Sequence, residues 1–316
     1  MNRLRRLLII GILAFALVSA CGRNAPRQVS SQAVRVVEHA MGQTKVPVNP
    51  ERVIVLGGGL DTALSLGIKP VGSVQVGRED YYLKNKLGRI ESVGSSDEPN
   101  LEAIVALKPD LILGSKFNQK SYKLLSQIAP TVIADVDNSS EWKIMLNKYA
   151  EALGKTDQAE QIMADYNARI EDFQAQMGDR LKKTEVSIVR VRQDVMSIYL
   201  EDSFCGTIVA DAGLPRPSNQ TNTEDSFSMD ISKELLSMAD GDAIFIWTRS
   251  SGESEESVLE AQRNLKQLKA DPLWSKLNAV QQGKVYDIPS YWIGMGPIAA
   301  NLVLDDLFKY LIEDRG

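Results

Sequence analysis

The sequence has 316 residues, with 36 Lys or Arg against 41 Asp or Glu, a net charge of −5 that argues against a nucleic-acid partner. It holds one histidine, His39, which argues against a protein-built zinc or non-haem iron site and against any His-based catalytic triad that omits it. Two cysteines, Cys21 and Cys205, are too few for a disulfide framework.

The chain opens with Arg3, Arg5 and Arg6, followed by an apolar run from Leu7 to Val18 and the small pair Ser19 and Ala20. That is the layout of a secretory signal, and the run is short of the roughly 20 residues of a membrane span. Cys21 follows at once, and Leu17-Val18-Ser19-Ala20-Cys21 resembles a bacterial lipobox, in which the cysteine is lipidated and becomes the new N-terminus. An ordinary signal beside an unrelated cysteine is the alternative. Residues 1–20 then read as the signal peptide and 21–33 as a polar, lipidated tether, because "GRNAPRQVSSQA" has no apolar period. Removing residues 1–20 takes away three Arg and no acid, which leaves a still more acidic body.

From residue 34 strand-like and helix-like pieces alternate. "RVIVL" (52–56) predicts a buried strand, "LDTALSLG" (60–67) a short helix ending at Gly67, and "KPVGSV" (69–74) a second strand. "NLEAIVAL" (100–107) has helical spacing with Asn100 as N-cap. "PDLILGS" (109–115) is a strand, "SYKLLSQIA" (121–129) a helix and "PTVIAD" (130–135) a strand. This rhythm predicts a parallel sheet with covering helices.

Residues 140–153 and 155–180 are helical with little interruption. In "TDQAEQIMADYNARIEDFQAQMG" (156–178) apolar residues recur every three or four positions, over about 35 Å at 1.5 Å per residue. A helix that long between two α/β halves reads as a connector, the alternative being one more sheet-covering helix. Strands then resume at "EVSIVRV" (185–191), "MSIYL" (196–200), "DAIFIWT" (242–248) and "GKVYDIPS" (283–290). Helices are predicted at 206–214, 231–238, 257–277 (broken) and 296–314. The expected class is α/β, with two α/β lobes bridged by a single long α-helix and a ligand cleft between the lobes. The expected limits are 34–153 for the first lobe, 154–180 for the bridge and 181–316 for the second.

"VIVLGGGLD" (53–61) is a Gly-rich strand exit, but it lacks the Gly-Lys-Ser/Thr ending of a P-loop, and Thr62 breaks G-x-G-x-x-G. A close turn at the sheet's carboxyl edge is the better reading, since ligands of open α/β sheets bind there. G-x-S-x-G is absent and Cys205 has no recognisable partner, so no catalytic residue is assigned. Cations and aromatics fall just after predicted strands: Arg78, Tyr81 and Tyr82; Lys116 and Phe117; Arg190 and Arg192; Trp247 and Arg249; Tyr291 and Trp292. Guanidinium groups suit anionic oxygens and rings suit the organic frame of a ligand. Any one cation could instead form a surface salt bridge. Together they predict a bulky, anionic, partly apolar ligand.

"EHAMGQTKVPVNPERVIVLGGGLDTALSLGIKPVG" (38–72) and "EPNLEAIVALKPDLILG" (98–114) resemble the opening signatures of iron-siderophore ABC-transporter substrate-binding proteins, the class III periplasmic binding type with an interlobe helix. "WKIMLNKYAEALGKTDQAEQIMADYNARI" (142–170) is similar to that helix region, and "ISKELL", "DAIFIW" and "GPIAANLVLDDL" to later segments. The resemblance implies a lipid-anchored monomer on the extracytoplasmic or periplasmic face of the membrane. It would capture an Fe(III)-siderophore, of hydroxamate or citrate type, with limited closure, and deliver it to a permease dimer driven by a cytoplasmic ATPase. The siderophore supplies the iron ligands, so no metal residue and no cofactor beyond the lipid on Cys21 is expected. Docking glutamates of the family match Glu102 in "NLE", with Glu98 a competitor, and Glu234 in "ISKE"; each could equally be an ordinary acid at a helix start. His39 falls in the opening strand and reads as structural. Cobalamin and haem remain alternative ligands, and a non-transport envelope adaptor the alternative role.

Overall fold

The computed structural model describes residues 33–74, 82–83, 85–86, 88–192, 195–221, 227–248 and 254–313. It begins with a hairpin, β1 (Val34–His39) against β2 (Gly42–Pro47), antiparallel with His39 opposite Gly42. This hairpin leans on the first sheet: the Ala40 amide donates to the Ile133 carbonyl and the Thr44 hydroxyl to the Thr131 carbonyl. His39 is buried at this joint. Its Nδ1 accepts the Met41 amide and its Nε2 meets the Thr44 hydroxyl at 2.8 Å, so the ring is neutral and structural, and burial lowers its pKa.

Five short strands build the first sheet: β3 (Val53–Val55), β4 (Gly72–Ser73), β5 (Glu91–Ser92), β6 (Leu111–Ser115) and β7 (Thr131–Ala134). Their order is β5-β4-β3-β6-β7, every pair parallel. Parallel neighbours need crossovers, and helices supply them. Here they include α1 (Leu60–Ser65), α2 (Leu101–Ala106) and α3 (Tyr122–Ile128). Asn100 caps α2 as expected, accepting the Ala103 amide at 3.0 Å.

Two helices follow, α4 (Trp142–Leu153) and the 22-residue α5 (Thr156–Met177), with Gly154 at φ +68° turning the chain between them. The second sheet holds β8 (Val186–Val191), β9 (Met196–Tyr199), β10 (Ser228–Ile231), β11 (Ala243–Trp247) and β12 (Val285–Asp287). Its order is β10-β9-β8-β11-β12; β8, β11 and β12 run parallel, while β9 and β10 are antiparallel additions. Helices α6 (Phe204–Asp211), α7 (Glu255–Lys269) and α8 (Pro297–Phe308) complete this half.

Side-chain alternation divides each sheet between two cores. Val53, Val55, Leu111 and Leu113 share a core with Val186, Ile188 and Phe245 of the second sheet, through Trp142 and Tyr149 of α4, Tyr166 and Phe173 of α5 and Leu304 of α8. The opposite faces pack separately, Ile54 and Ile112 under α2 and α3 in one half, Val189, Ile244 and Ile246 under α7 in the other. One apolar core thus runs from lobe to lobe. Polar contacts pin the long helix to both sides: Asp211 of α6 accepts the Tyr166 hydroxyl at 2.7 Å and pairs with Lys143 of α4 at 2.7 Å.

Four sequence expectations change. Ile231 ends a strand, and the predicted helix over 231–238 is a 3₁₀ turn from Lys233 to Ala239. The long α-helix stops at Met177, with a 3₁₀ turn over Gly178–Lys183. The closing α-helix stops at Phe308 and widens into a π turn. Strands β1, β2, β5 and β10 were not legible as strands by pattern. No described helix is long and apolar enough to cross a membrane. Residues 1–32, including Cys21 and the proposed signal segment, lie outside the described residues.

Candidate functional site

The carboxyl ends of both sheets open onto one cavity of about 480 Å³. In the first half Gly57 and Gly58 leave β3, Phe117 follows β6, and Asn138 and Ser139 follow β7; Tyr82, Ser96 and Asp97 complete this wall. In the second half Arg190 stands on β8, Tyr199 ends β9 and Phe204 begins α6. Phe227 and the stretch from Trp292 to Met295 fill the rest, beside Ser290. This is where open α/β sheets place ligands, because the strand-to-helix loops there are free to carry side chains.

Of the predicted ligand residues, Tyr82, Arg190 and Trp292 line the cavity, and so does Phe117. Arg190 and Asp97 are the charged residues among the described lining; the Arg190 guanidinium donates to the Tyr199 hydroxyl at 3.4 Å. Four others are placed elsewhere. Lys116 turns sideways to Asp135 and Asp137 at the end of β7, and those carboxylates raise its pKa. Arg192 donates to the Ser197 hydroxyl at 2.8 Å and to Asp230 at 3.2 Å, bracing the β8-β9-β10 edge. Trp247 is buried behind Tyr199, ring centroids 5.0 Å apart, because it is the last residue of a strand covered on both faces. Tyr291 gives its hydroxyl to Asp306 and sets its ring edge-on to Tyr82 at 6.3 Å. Arg78, Tyr81 and Arg249 lie outside the described residues.

The rings of the second wall are held from behind. Asp306 of α8 accepts the Tyr291 hydroxyl and the Trp292 indole N–H, each at 2.8 Å. Burial raises the pKa of Asp306, against the lowering effect of those two bonds, while burial and the Asp306 charge raise that of Tyr291. Trp292 stacks on Phe245 at 4.6 Å. Behind Tyr199, Arg216 donates to the Tyr199 carbonyl and the Gln220 side chain, and burial pushes its pKa down to about 10. Cys205 is buried, and burial pushes its thiol up to about 11, far from a nucleophile's range. Pattern reading missed Phe204, Phe227, Asn138, Ser139 and Ser290. Their common signal was position, each within a few residues of an element end.

The Gly-rich exit is explained by crowding. A Cβ on Gly57 would lie 2.4 Å from the Ser115 hydroxyl, one on Gly58 2.8 Å from Met295 Sδ, and one on Gly59 2.4 Å from the Tyr149 ring. Gly57 and Gly58 also hold φ of +59° and +80°, which glycine adopts without strain. The loop is a close-packed turn.

Two α/β lobes facing one cavity, walled by rings, hydroxyls and a guanidinium, define a protein that captures a ligand between its lobes. Residues 56–292 match the model of the family described as periplasmic binding protein, and the chain belongs to that family, one of substrate-binding proteins and not of enzymes. Its sequence is similar to a probable siderophore-binding lipoprotein, YfiY, of Bacillus subtilis (strain 168), 37% identical over 98% of each chain. It is also similar to the achromobactin-binding periplasmic protein of Dickeya dadantii (strain 3937), 34% identical over 82% of this chain and 86% of that one. The crystal structure of Staphylococcus aureus SirA complexed with staphyloferrin B superposes with a TM-score of 0.78 at 31% identity, covering 88% of this chain and 98% of that one.

Proposed function

We propose that this protein is the substrate-binding component of an ABC importer and captures a ferric siderophore of the citrate or hydroxamate type. The observation that carries this is the cavity wall: Arg190 set among Tyr82, Tyr199 and Phe227, with the buried rings of Phe204 and Trp292 at its back. Iron held by anionic oxygens leaves negative charge and an organic frame on the outside of the complex. A guanidinium answers the first and stacked rings the second. The chelator itself would hold the iron, so the wall needs only to grip the outer surface. Relatives named for siderophore and achromobactin binding, and a neighbour complexed with staphyloferrin B, support the same class.

Titration of the purified protein with ferric citrate, ferric staphyloferrin B, a ferric trihydroxamate, haem and cobalamin, read by tryptophan quenching, tests this. Submicromolar binding of a ferric complex and not of its iron-free form is expected. Binding of haem or cobalamin alone would change the ligand class, and binding of none would favour an envelope adaptor.

The delivery step rests on the exposed Glu102, near the start of α2, and Glu234 in the second half. Ser232 hydrogen-bonds the Glu234 carboxylate and lowers its pKa. Lipidation at Cys21 would tether a monomer of lobes 34–153 and 181–316, joined by 154–180, at the outer face of the membrane. Alanine at Glu102 and Glu234 should cut cellular iron uptake while leaving ferric-complex binding intact.

A further inference from the structure

The N-terminus of α8 has no cap of its own. Its N-cap residue is Gly296, which has no side chain to offer. The cap comes instead from the other lobe, 237 residues away. Asp61 of α1 accepts the Ile298 amide with one carboxylate oxygen and the Ala299 amide with the other, each at 2.9 Å. Any Cβ at Gly296 would lie 2.4 Å from that carboxylate, so the missing side chain is what lets the two loops meet. Asp61 is fully buried. Beside it, Gly58 lies against Met295 so closely that a Cβ would come within 2.8 Å of the sulfur.

This contact has a place in the cavity. Gly57 and Gly58 on one side, and Gly294 and Met295 on the other, line the cavity itself. Asp61 does not; it stands one layer behind them. A buried carboxylate is costly unless donors surround it. Here two amides do, both from the opposite lobe. Pulling the lobes apart at this point would strip both.

We propose that residues 57–61 and 294–299 form a seam that sets the distance between the two walls of the cleft, with Asp61 as its positioning residue. The seam makes the β3 exit and the α8 end move as one, so the space offered to a ligand is set by a contact the ligand never touches. The effect on affinity rests on the ligand reading above; the effect on wall spacing does not.

The test uses the full-length protein in detergent, with spin labels at Leu124→Cys on α3 and Leu259→Cys on α7, both exposed and one in each lobe. Ligand-free wild type should give one narrow distance distribution. Asp61→Ala should broaden it and should lower hydrogen-exchange protection of the Ile298 and Ala299 amides by at least tenfold. Asp61→Asn keeps one acceptor oxygen and should restore part of both. Gly58→Ala should shift the distance while those amides stay protected. Whichever of ferric citrate, ferric staphyloferrin B or a ferric trihydroxamate the wild type binds should bind Asp61→Ala about tenfold more weakly. An unchanged distance distribution in Asp61→Ala overturns the seam, and so does a changed distribution with unchanged affinity. If the wild type binds none of these ferric complexes, the ligand reading fails while the distance and exchange arms still decide the seam.

Discussion

The first wall of the cleft is short side chains and bare backbone: Gly57, Gly58, Ser96, Asn138 and Ser139, with Tyr82 and Phe117 standing out from it. The second wall is ring and charge: Arg190, Tyr199, Phe204, Phe227 and Trp292. Both are built at the ends of strands and helices, yet their supports differ. The first is shaped by close backbone approach, as the glycines of the β3 exit show. The second is shaped by side chains locked from behind, Trp292 by Phe245 and Asp306 and Tyr199 by Trp247. The first wall therefore sets mainly shape and carries the acid Asp97, while the second supplies the guanidinium of Arg190 and most of the rings.

The comparison can be broken hardest at Trp292. It is fully buried and stacked, so Trp292→Ala should cost roughly 3–5 kcal/mol in denaturant unfolding. Phe117→Ala, on the half-exposed ring of the first wall, should stay within about 0.5 kcal/mol. Equal losses would erase the distinction between the supports.

A second break comes from pH. Burial pushes Asp61 up to about 6 from a usual 3.8, so the native chain holds this proton more tightly than the unfolded chain does. Stability from this group is therefore highest in acid and falls as pH rises between about 4 and about 6, by about 3 kcal/mol in all. Urea unfolding of wild type minus Asp61→Asn across that range should show the slope; a flat difference would mean the carboxylate is not held in a dry place.

Arg190→Ala sharpens the charge side of the comparison. It should weaken an anionic ferric complex by roughly 30-fold, about 2 kcal/mol for a charge-assisted contact, and leave a neutral one nearly unchanged. Calorimetric titration of both kinds of complex checks it. A modest effect belongs to Asn100→Ala, at the start of α2. Loss of its cap on α2 should lower stability by about 1 kcal/mol and leave ligand affinity alone.

Much of this was legible in the sequence because it is local. Runs such as "VIVL" and "LILGS" are apolar without alternation because their strands are covered on both faces, and the buried sheet centres bear that out. Asn100, Gly67 and Gly213 mark helix ends by their own chemistry. Tyr82 and Trp292 were singled out by their place after predicted strands and Arg190 by its place on one, and all three line the cavity. The hairpin strands β1 and β2 escaped because β1 exposes Val34 and Val36 while burying Val37 and His39, so apolar character does not track burial, and β2 buries only its last two residues. Lys116 and Arg192 looked like ligand cations because a sequence cannot show which acid lies on the next strand; Asp135, Asp137 and Asp230 took them.

By itself, then, the sequence determined the central strands of each α/β half, the long helix between them and the family. Those follow from periods and caps spanning a few residues. Only the tertiary structure decided which cations face the cavity, what holds Trp292 from behind, and why "GGGLD" has its glycines. These depend on which strand ends become neighbours, and on one carboxylate meeting a helix that begins more than two hundred residues later.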